Sequence, residues 1–236
     1  MTQLNQFGQP IGDALIDWQP RQAPERKVLR GKYCRLEPLC AEHAAALFRA
    51  HQLAPDTRSW TWLLREPDPT VEAFTAWVVS VSQLADPMHF TVIDTHTDQP
   101  VGTLALMRID PANGVIEVGH VHFSPLLSRT PMSTEAQYLL MRYVFDELGY
   151  RRYEWKCNSL NEPSRRAALR LGFKYEGRFR QALVIKGHNR DTDWFSLLDS
   201  EWPRAAMAFQ KWLAADNFTD GGEQKRSLES WREKTN

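Results

Sequence analysis

A chain of 236 residues, 42% hydrophobic and 25% charged, carries enough apolar side chain for one packed core, which excludes a disordered polymer. Its 29 Lys plus Arg balance its 29 Asp plus Glu, so net charge gives no reason to expect a nucleic-acid or membrane-surface partner. No stretch is apolar enough to span a bilayer, no signal-type leader is visible, and Cys34, Cys40 and Cys157 lack metal spacing; a soluble protein of a reducing, cytoplasmic compartment is expected.

Residues 1–27 are rich in Gln and Pro and show no sustained period. They read as an N-terminal arm, either a flexible leader or, through Leu15, Ile16 and Trp18, docked on its own domain or a neighbour. Tyr33 to Leu39 alternates as a first strand, and Ala44, Ala45, Leu47 and Phe48 mark one side of a helix over 41–51. Arg58 to Leu64 then brings Trp60 and Trp62, either core aromatics or the wall of a substrate pocket. Phe74, Trp77, Val78 and Val81 predict a second helix over 70–84. Met88–Ile93 and Val101–Ile109 flank a polar turn, and Asp110-Pro111-Ala112-Asn113-Gly114 leads into the alternating run Val115–Phe123, so an antiparallel meander is expected.

The centre of the chain follows. After the strand Val115–Phe123 comes Ser128-Arg129-Thr130-Pro131-Met132-Ser133-Thr134-Glu135-Ala136, and then Leu139, Leu140, Tyr143, Val144 and Leu148 at helical spacing up to Gly149. Thr134 with Gln137 reads as a capping box at the helix start. A strand, a short turn and an open helix N-terminus offer free N–H groups and a positive dipole end, a site for phosphate or pyrophosphate beside the fixed charge of Arg129. A second unit runs from the strand Arg152–Cys157 through Asn161, the expected N-cap, and Pro163 in the first turn, to a helix ending at Leu171-Gly172-Phe173. Two more strands, Phe179–Ile185 and Asp193–Leu198, a closing helix Trp202–Leu213 and a polar tail over 216–236 complete the chain. The main domain is thus expected over 28–215.

This order of strand, anion-binding turn, helix, strand and helix, with Gly149-Tyr150-Arg151-Arg152, Asn161-x-x-Ser164 and Leu171-Gly172-Phe173-x-x-Glu176-Gly177, resembles the GNAT family of acyl-CoA N-acyltransferases, nearest its RimJ/RimL-type branch. The resemblance implies an α+β fold in αβα layers, whose twisted, mostly antiparallel sheet splays at its middle strands. It also implies acetyl-CoA as co-substrate, no metal, and a primary amine as acceptor, either a small molecule or a protein N-terminus. One departure stands out: the family's pyrophosphate turn, Gln/Arg-x-x-Gly-x-Gly/Ala, reads here Ser128-x-x-Pro131-x-Ser133, which removes a glycine's close backbone approach and one N–H donor.

Acyl transfer from a thioester needs a neutral amine, donors for the oxyanion and a proton for the leaving thiolate. Glu117, a carboxylate in an apolar strand, is the leading base, the alternative being a salt-bridged strand carboxylate. His120, expected on the opposite strand face, could serve instead. The resemblance gives Ser164 the role of proton donor to the thiolate. It gives coenzyme contacts to the backbone of Val121, His122 and Phe123, to the turn residues Arg129, Thr130, Met132, Ser133 and Thr134, and to Asn161, Ser164 and Arg165. Trp60 and Trp62 would then contact the acceptor. His120-x-His122 also has the spacing of two strand-borne metal ligands, but no third ligand has a sequence signature. A non-catalytic acyl-CoA-binding module is the alternative that the altered turn raises. The arm and the tail are the segments through which a homodimer would form; a monomer is equally compatible.

Overall fold

The computed structural model describes residues 3–233. At its start a short exposed hairpin pairs β1 (Gln3–Leu4) with β2 (Pro10–Ile11). The arm then docks on its own domain. The Trp18 indole donates to the Ala112 carbonyl (3.0 Å), and the Tyr143 and Tyr150 hydroxyls bond the backbone at Glu25 and Gln22.

The main sheet starts with β3 (Leu29–Arg30) and β4 (Cys34–Pro38). Helix α1 (Ala44–Gln52) follows, then α2 (Val71–Ser82), whose N-cap Thr70 accepts from the Ala73 N–H. Strands β5 (Met88–Asp94), β6 (Pro100–Asp110) and β7 (Val115–Phe123) form the expected meander. Helix α3 (Pro131–Arg142) continues into a π-turn over Tyr143–Glu147, and β8 (Arg152–Asn158) and α4 (Glu162–Leu171) come next. Gly172 ends α4 with φ 107°, a conformation that a residue with a Cβ resists. Strands β9 (Lys174–Ile185) and β10 (His188–Leu198) are longer than the sequence pattern predicts, because their first residues are paired although they do not alternate. Helices α5 (Trp202–Leu213) and α6 (Leu228–Glu233) close the chain's described part.

The eight-stranded sheet has the order β3-β4-β5-β6-β7-β8-β10-β9, antiparallel except where β7 meets β8. One face carries α1 and α2 over Leu39, Ala44, Leu47, Phe74 and Val78. The other buries the larger core beneath α3, α4 and α5, with Leu104, Leu106, Ile116, Leu140, Tyr153 and Phe209 fully enclosed. Helix α3 is pinned to the sheet by Glu135, a buried carboxylate that accepts the N–H groups of Lys32 (2.8 Å), Tyr33 (2.6 Å) and Cys34 (2.7 Å). Gly31 is obligatory beside it, since a Cβ there would stand 2.5 Å from the Glu135 side chain.

The stretch expected as a polar tail packs on the domain over its described residues, 216–233, while 234–236 lie outside the described residues. Leu228 is fully buried, Phe218 and Trp231 pack on the core, and Arg232 caps the last carbonyls of α4 at Leu169 and Arg170. Three apolar anchors in a polar stretch are too few to show a period, which is why the pattern conceals them.

Candidate functional site

The site is made by two strands that part. β7 and β8 pair over Val115–Val118 and Arg152–Trp155, and no further, although β7 runs on to Phe123 and β8 to Asn158. The cause lies on the other edge of β7. Against β6, Gly119 pairs with Ala105 and His122 with Thr103, so His120 and Val121 both oppose Leu104. This is a β-bulge, with His120 at φ 48°. The bulge bends β7 away from β8 and leaves its backbone groups beyond Val118 without a β8 partner. It also shifts the side-chain phase by one residue, so that His122 comes to the face of Glu117 and Gly119 while Val121 and Phe123 pack on the core.

Through this gap runs a cavity of about 1680 Å³ that opens on both faces of the sheet. On the α1/α2 side its wall is aromatic: Trp60 is buried, Trp62 is partly exposed beside it, and Trp77 stands behind. The His122 ring stacks on His51, with centroids 3.9 Å apart, and meets Trp60 edge-on at 4.2 Å. His120 lies 5.0 Å from His89, which is 1% exposed and has no partner for either ring nitrogen among the described residues. Burial holds all four imidazoles neutral, with His51 and His89 lowered to about 4 and His122 to about 3. The expectation that His120 faces away from Glu117 is thereby corrected. Strict alternation separates residues three apart, but the bulge turns the His120 ring into the cavity that Glu117 lines. The two histidines at i, i+2 also have different neighbours, and among the described residues no three His, Cys, Asp or Glu are grouped to hold a metal ion.

Glu117 is 5% exposed and paired with Lys156 (2.7 Å), which also holds Glu154 (2.8 Å) and lies 3.6 Å from the Trp194 ring centroid. Arg108 is further off, at 3.5 Å. Burial raises the Glu117 carboxyl above the ordinary carboxylate range, and the Lys156 ammonium acts in the opposite sense. The salt-bridged reading of Glu117 is thus seen in the structure. The carboxylate also faces the cavity beside the parting strands.

On the α3/α4 side the cavity is a groove between two helix starts. Asn161 caps α4 as expected, its Oδ1 accepting the Ser164 N–H (3.1 Å). The Ser164 Oγ accepts the Trp155 indole N–H (3.0 Å), so its own proton points to other acceptors. A hydrogen bond from Ser164 lowers the neighbouring Cys157 thiol, but burial raises it more. Across the groove α3 starts one turn earlier than the capping-box pattern suggests. Thr130 is the N-cap residue and Pro131 the first helical one, so Thr134 lies within the helix. The turn satisfies itself. The hydroxyls of Ser128, Thr130 and Ser133 donate to the carbonyls of Phe123, Leu127 and Thr130, while Thr134 accepts from Arg170 (3.0 Å). Met132 turns its side chain to the core and presents only backbone. Arg129, at φ 62°, is exposed at the rim.

Gln137, one turn further along α3, is 2% exposed and lines the cavity with neither amide atom bonded among the described residues. An unsatisfied buried amide is costly. Here it matches a ligand that carries amides of its own, as a pantetheine chain does. The groove thus brings the cations Arg129 and Arg170 together with an unsatisfied amide at Gln137.

Arg165 does not belong to this groove. Its guanidinium bonds the fully buried Asp193 and sits over Tyr175 and Phe195. Helical rotation directs Arg166 and Arg170 to the cavity instead. Sequence reasoning also missed His51, His89, Lys156, Trp194 and Arg190, all of which line the cavity. They come from four elements distant along the chain, and only Lys156, a charge on an apolar strand next to the Asn161 turn, carried a signal of its own.

Comparison with known proteins agrees with this geometry. The model of a family described as an acetyltransferase (GNAT) domain matches residues 34–174. A crystal structure of a GCN5-related N-acetyltransferase from Brucella melitensis is similar with a TM-score of 0.91 and 53% identity, over 93% of this chain and 100% of that one. The structure of a probable acetyltransferase (GNAT family) from Chromobacterium violaceum follows with a TM-score of 0.76 and 41% identity, over 83% and 98%. The uncharacterized N-acetyltransferase p20 of Bacillus licheniformis is 33% identical over 117 residues, 48% of this chain and 63% of that protein, so the match spans less than two thirds of that relative.

Proposed function

The chain belongs to the GNAT family of acetyltransferases, and from that premise we propose that it transfers an acetyl group from acetyl-CoA to a primary amine by direct attack, without a covalent acyl-enzyme. The observation that carries this reading is the parting of β7 from β8 after Val118 and Trp155, with Glu117 on one side of the gap and Ser164 on the other. When bound, acetyl-CoA supplies the activated thioester. The chain's own groups do the rest. The Glu117 carboxylate takes a proton from the incoming ammonium, and Lys156 keeps it ionised in a buried setting. The unpartnered β7 backbone beyond Val118 orients the thioester carbonyl. Ser164, fixed by Trp155 and by the Asn161 cap, holds a proton for the leaving thiolate. His120, at the bulge beside the cavity, is the second group able to carry a proton. The motif order favours the RimJ/RimL-type branch, and the three free cysteines favour a soluble enzyme of the cytoplasm. Among the described residues no helix is long and apolar enough to cross a membrane.

A binding module without catalysis is the second reading, favoured by one observation: Pro131 and the inward-turned hydroxyls of Ser128, Thr130 and Ser133 leave the pyrophosphate turn poor in donors. Calorimetry with acetyl-CoA and with free CoA, followed by thiol release over a library of amines, separates the cases. Micromolar binding with turnover supports the transferase, binding without turnover on any amine supports the module, and no binding rejects both.

A further inference from the structure

Each acceptor-side cation of the cavity has a carboxylate partner except one. Arg65 holds Asp68, Lys156 holds Glu117 and Glu154, and Arg108 stands by Glu117. Arg190 has no ion pair or side-chain hydrogen bond among the described residues, although it lines the cavity and its Nε is buried. Burial works against its charge, and the nearby Cys157 and Glu117 only partly offset this without bonding it. A guanidinium in that position is stabilised by an anion with two oxygens.

The strand places this group. Trp194, under the Lys156 ammonium, is on the Glu117 face of β10, and alternation carries Thr192 to that face, while Asp193 turns to the other side to meet Arg165 and Arg178. The pairing with β9 shifts register between Thr192 and Arg190, and the Arg190 side chain lines the same cavity. Thr192 is 4% exposed, and its hydroxyl also has no partner among the described residues. Two neighbouring buried donors without acceptors face one cavity. The coenzyme groove has its own cations, Arg129 and Arg170, near α3 and α4 on the opposite face of the sheet.

We propose that Arg190 and Thr192 form a carboxylate-binding subsite, so that the acceptor is an amine that carries a carboxylate, such as a free amino acid, with its amino group toward Glu117. The proposal rests on the acetyltransferase reading for what happens to that amine, not for the binding itself. It predicts discrimination by charge. A plain alkylammonium would leave Arg190 without a bonded anion, while an amino acid would pair with it and satisfy the Thr192 hydroxyl.

The test is calorimetric titration of phenylalanine against phenethylamine, tryptophan against tryptamine and leucine against isoamylamine, each with and without saturating free CoA. At least one acid is expected to bind tenfold or more tightly than its decarboxylated amine. Arg190→Gln should abolish that preference, Thr192→Val should weaken acid binding several-fold, and Arg190→Lys should restore part of it. All three variants should bind acetyl-CoA within twofold of the parent, which also shows that they are folded. Equal binding of acids and amines overturns the proposal, as does binding of neither by protein that holds CoA, or a loss of acetyl-CoA affinity in Arg190→Gln. If acetyl-CoA fails to bind the parent protein, the acetyltransferase reading falls by itself, and the titrations without coenzyme still decide the subsite.

Discussion

The imidazoles of His51 and His122 lie face to face, ring centroids 3.9 Å apart and planes within 10°, with the Trp60 indole against the edge of the pair. One ring comes from α1 and the other from β7, so the stack ties the α1/α2 layer to the bulged strand beside the gap. Two stacked rings at that distance tolerate at most one positive charge, and burial already keeps both neutral.

That neutrality makes stability depend on pH. In the unfolded chain each histidine titrates near ~6.5, whereas folded His51 and His89 are lowered to about 4 and His122 to about 3. Between those limits the unfolded state binds more protons, so the stability contribution is present above ~6.5 and is lost as pH falls through the window. Each histidine adds a slope of at most about 1.4 kcal/mol per pH unit. Thermal midpoints measured from pH 7 to pH 4 should fall steadily, and the fall should be shallower in His122→Gln. An identical slope in that variant would contradict the assignment.

Glu117→Gln removes the base but keeps the shape, and Lys156 retains Glu154. Turnover should drop by about 10²-fold or more while acetyl-CoA affinity changes less than twofold. In the parent enzyme the acidic limb of kcat/KM should lie above the ordinary carboxylate range, because burial raises the Glu117 carboxyl and the rate is lost as pH falls through that raised value. A pH profile and a single Kd check both statements.

Pro131→Gly returns an N–H to the first turn of α3. Acetyl-CoA should bind several-fold more tightly by calorimetry, with a thermal stability cost of about 1 kcal/mol from the freer backbone. Unchanged affinity would mean that the pyrophosphate is held by Arg129 and Arg170 rather than by the helix terminus.

Leu228→Ala tests the C-terminal segment. Leu228 is fully buried in the core shared with α4 and α5, so truncation should cost about 2–4 kcal/mol in denaturant unfolding. A loss within experimental error would show that the segment is an appendage after all.

The local signals in this chain are strong where chemistry acts over a few residues. Asn161 with Pro163, and Gly172 after Leu171, marked helix ends by cap chemistry alone, and the structure has them there. The motif order from Val115 to Gly177 was enough to indicate the family and, with it, the parting of two middle strands. Spacing fails where one residue changes the phase. The bulge at His120 and Val121 is invisible to alternation, because it depends on how β6 opposes β7, and it alone brings His120 and His122 to the face of Glu117. Arg165 and Arg166 are adjacent in sequence and alike in charge, yet the α4 rotation against Asp193, a residue nearly thirty positions away, sends one to the core and the other to the cavity. The same holds for Arg190 and Thr192. The sequence by itself determined the elements, their caps and the family pattern, because those rest on contacts within a turn or a strand. Which buried charges found partners, and which were left facing the cavity without one, was decided only when distant elements met in the sheet.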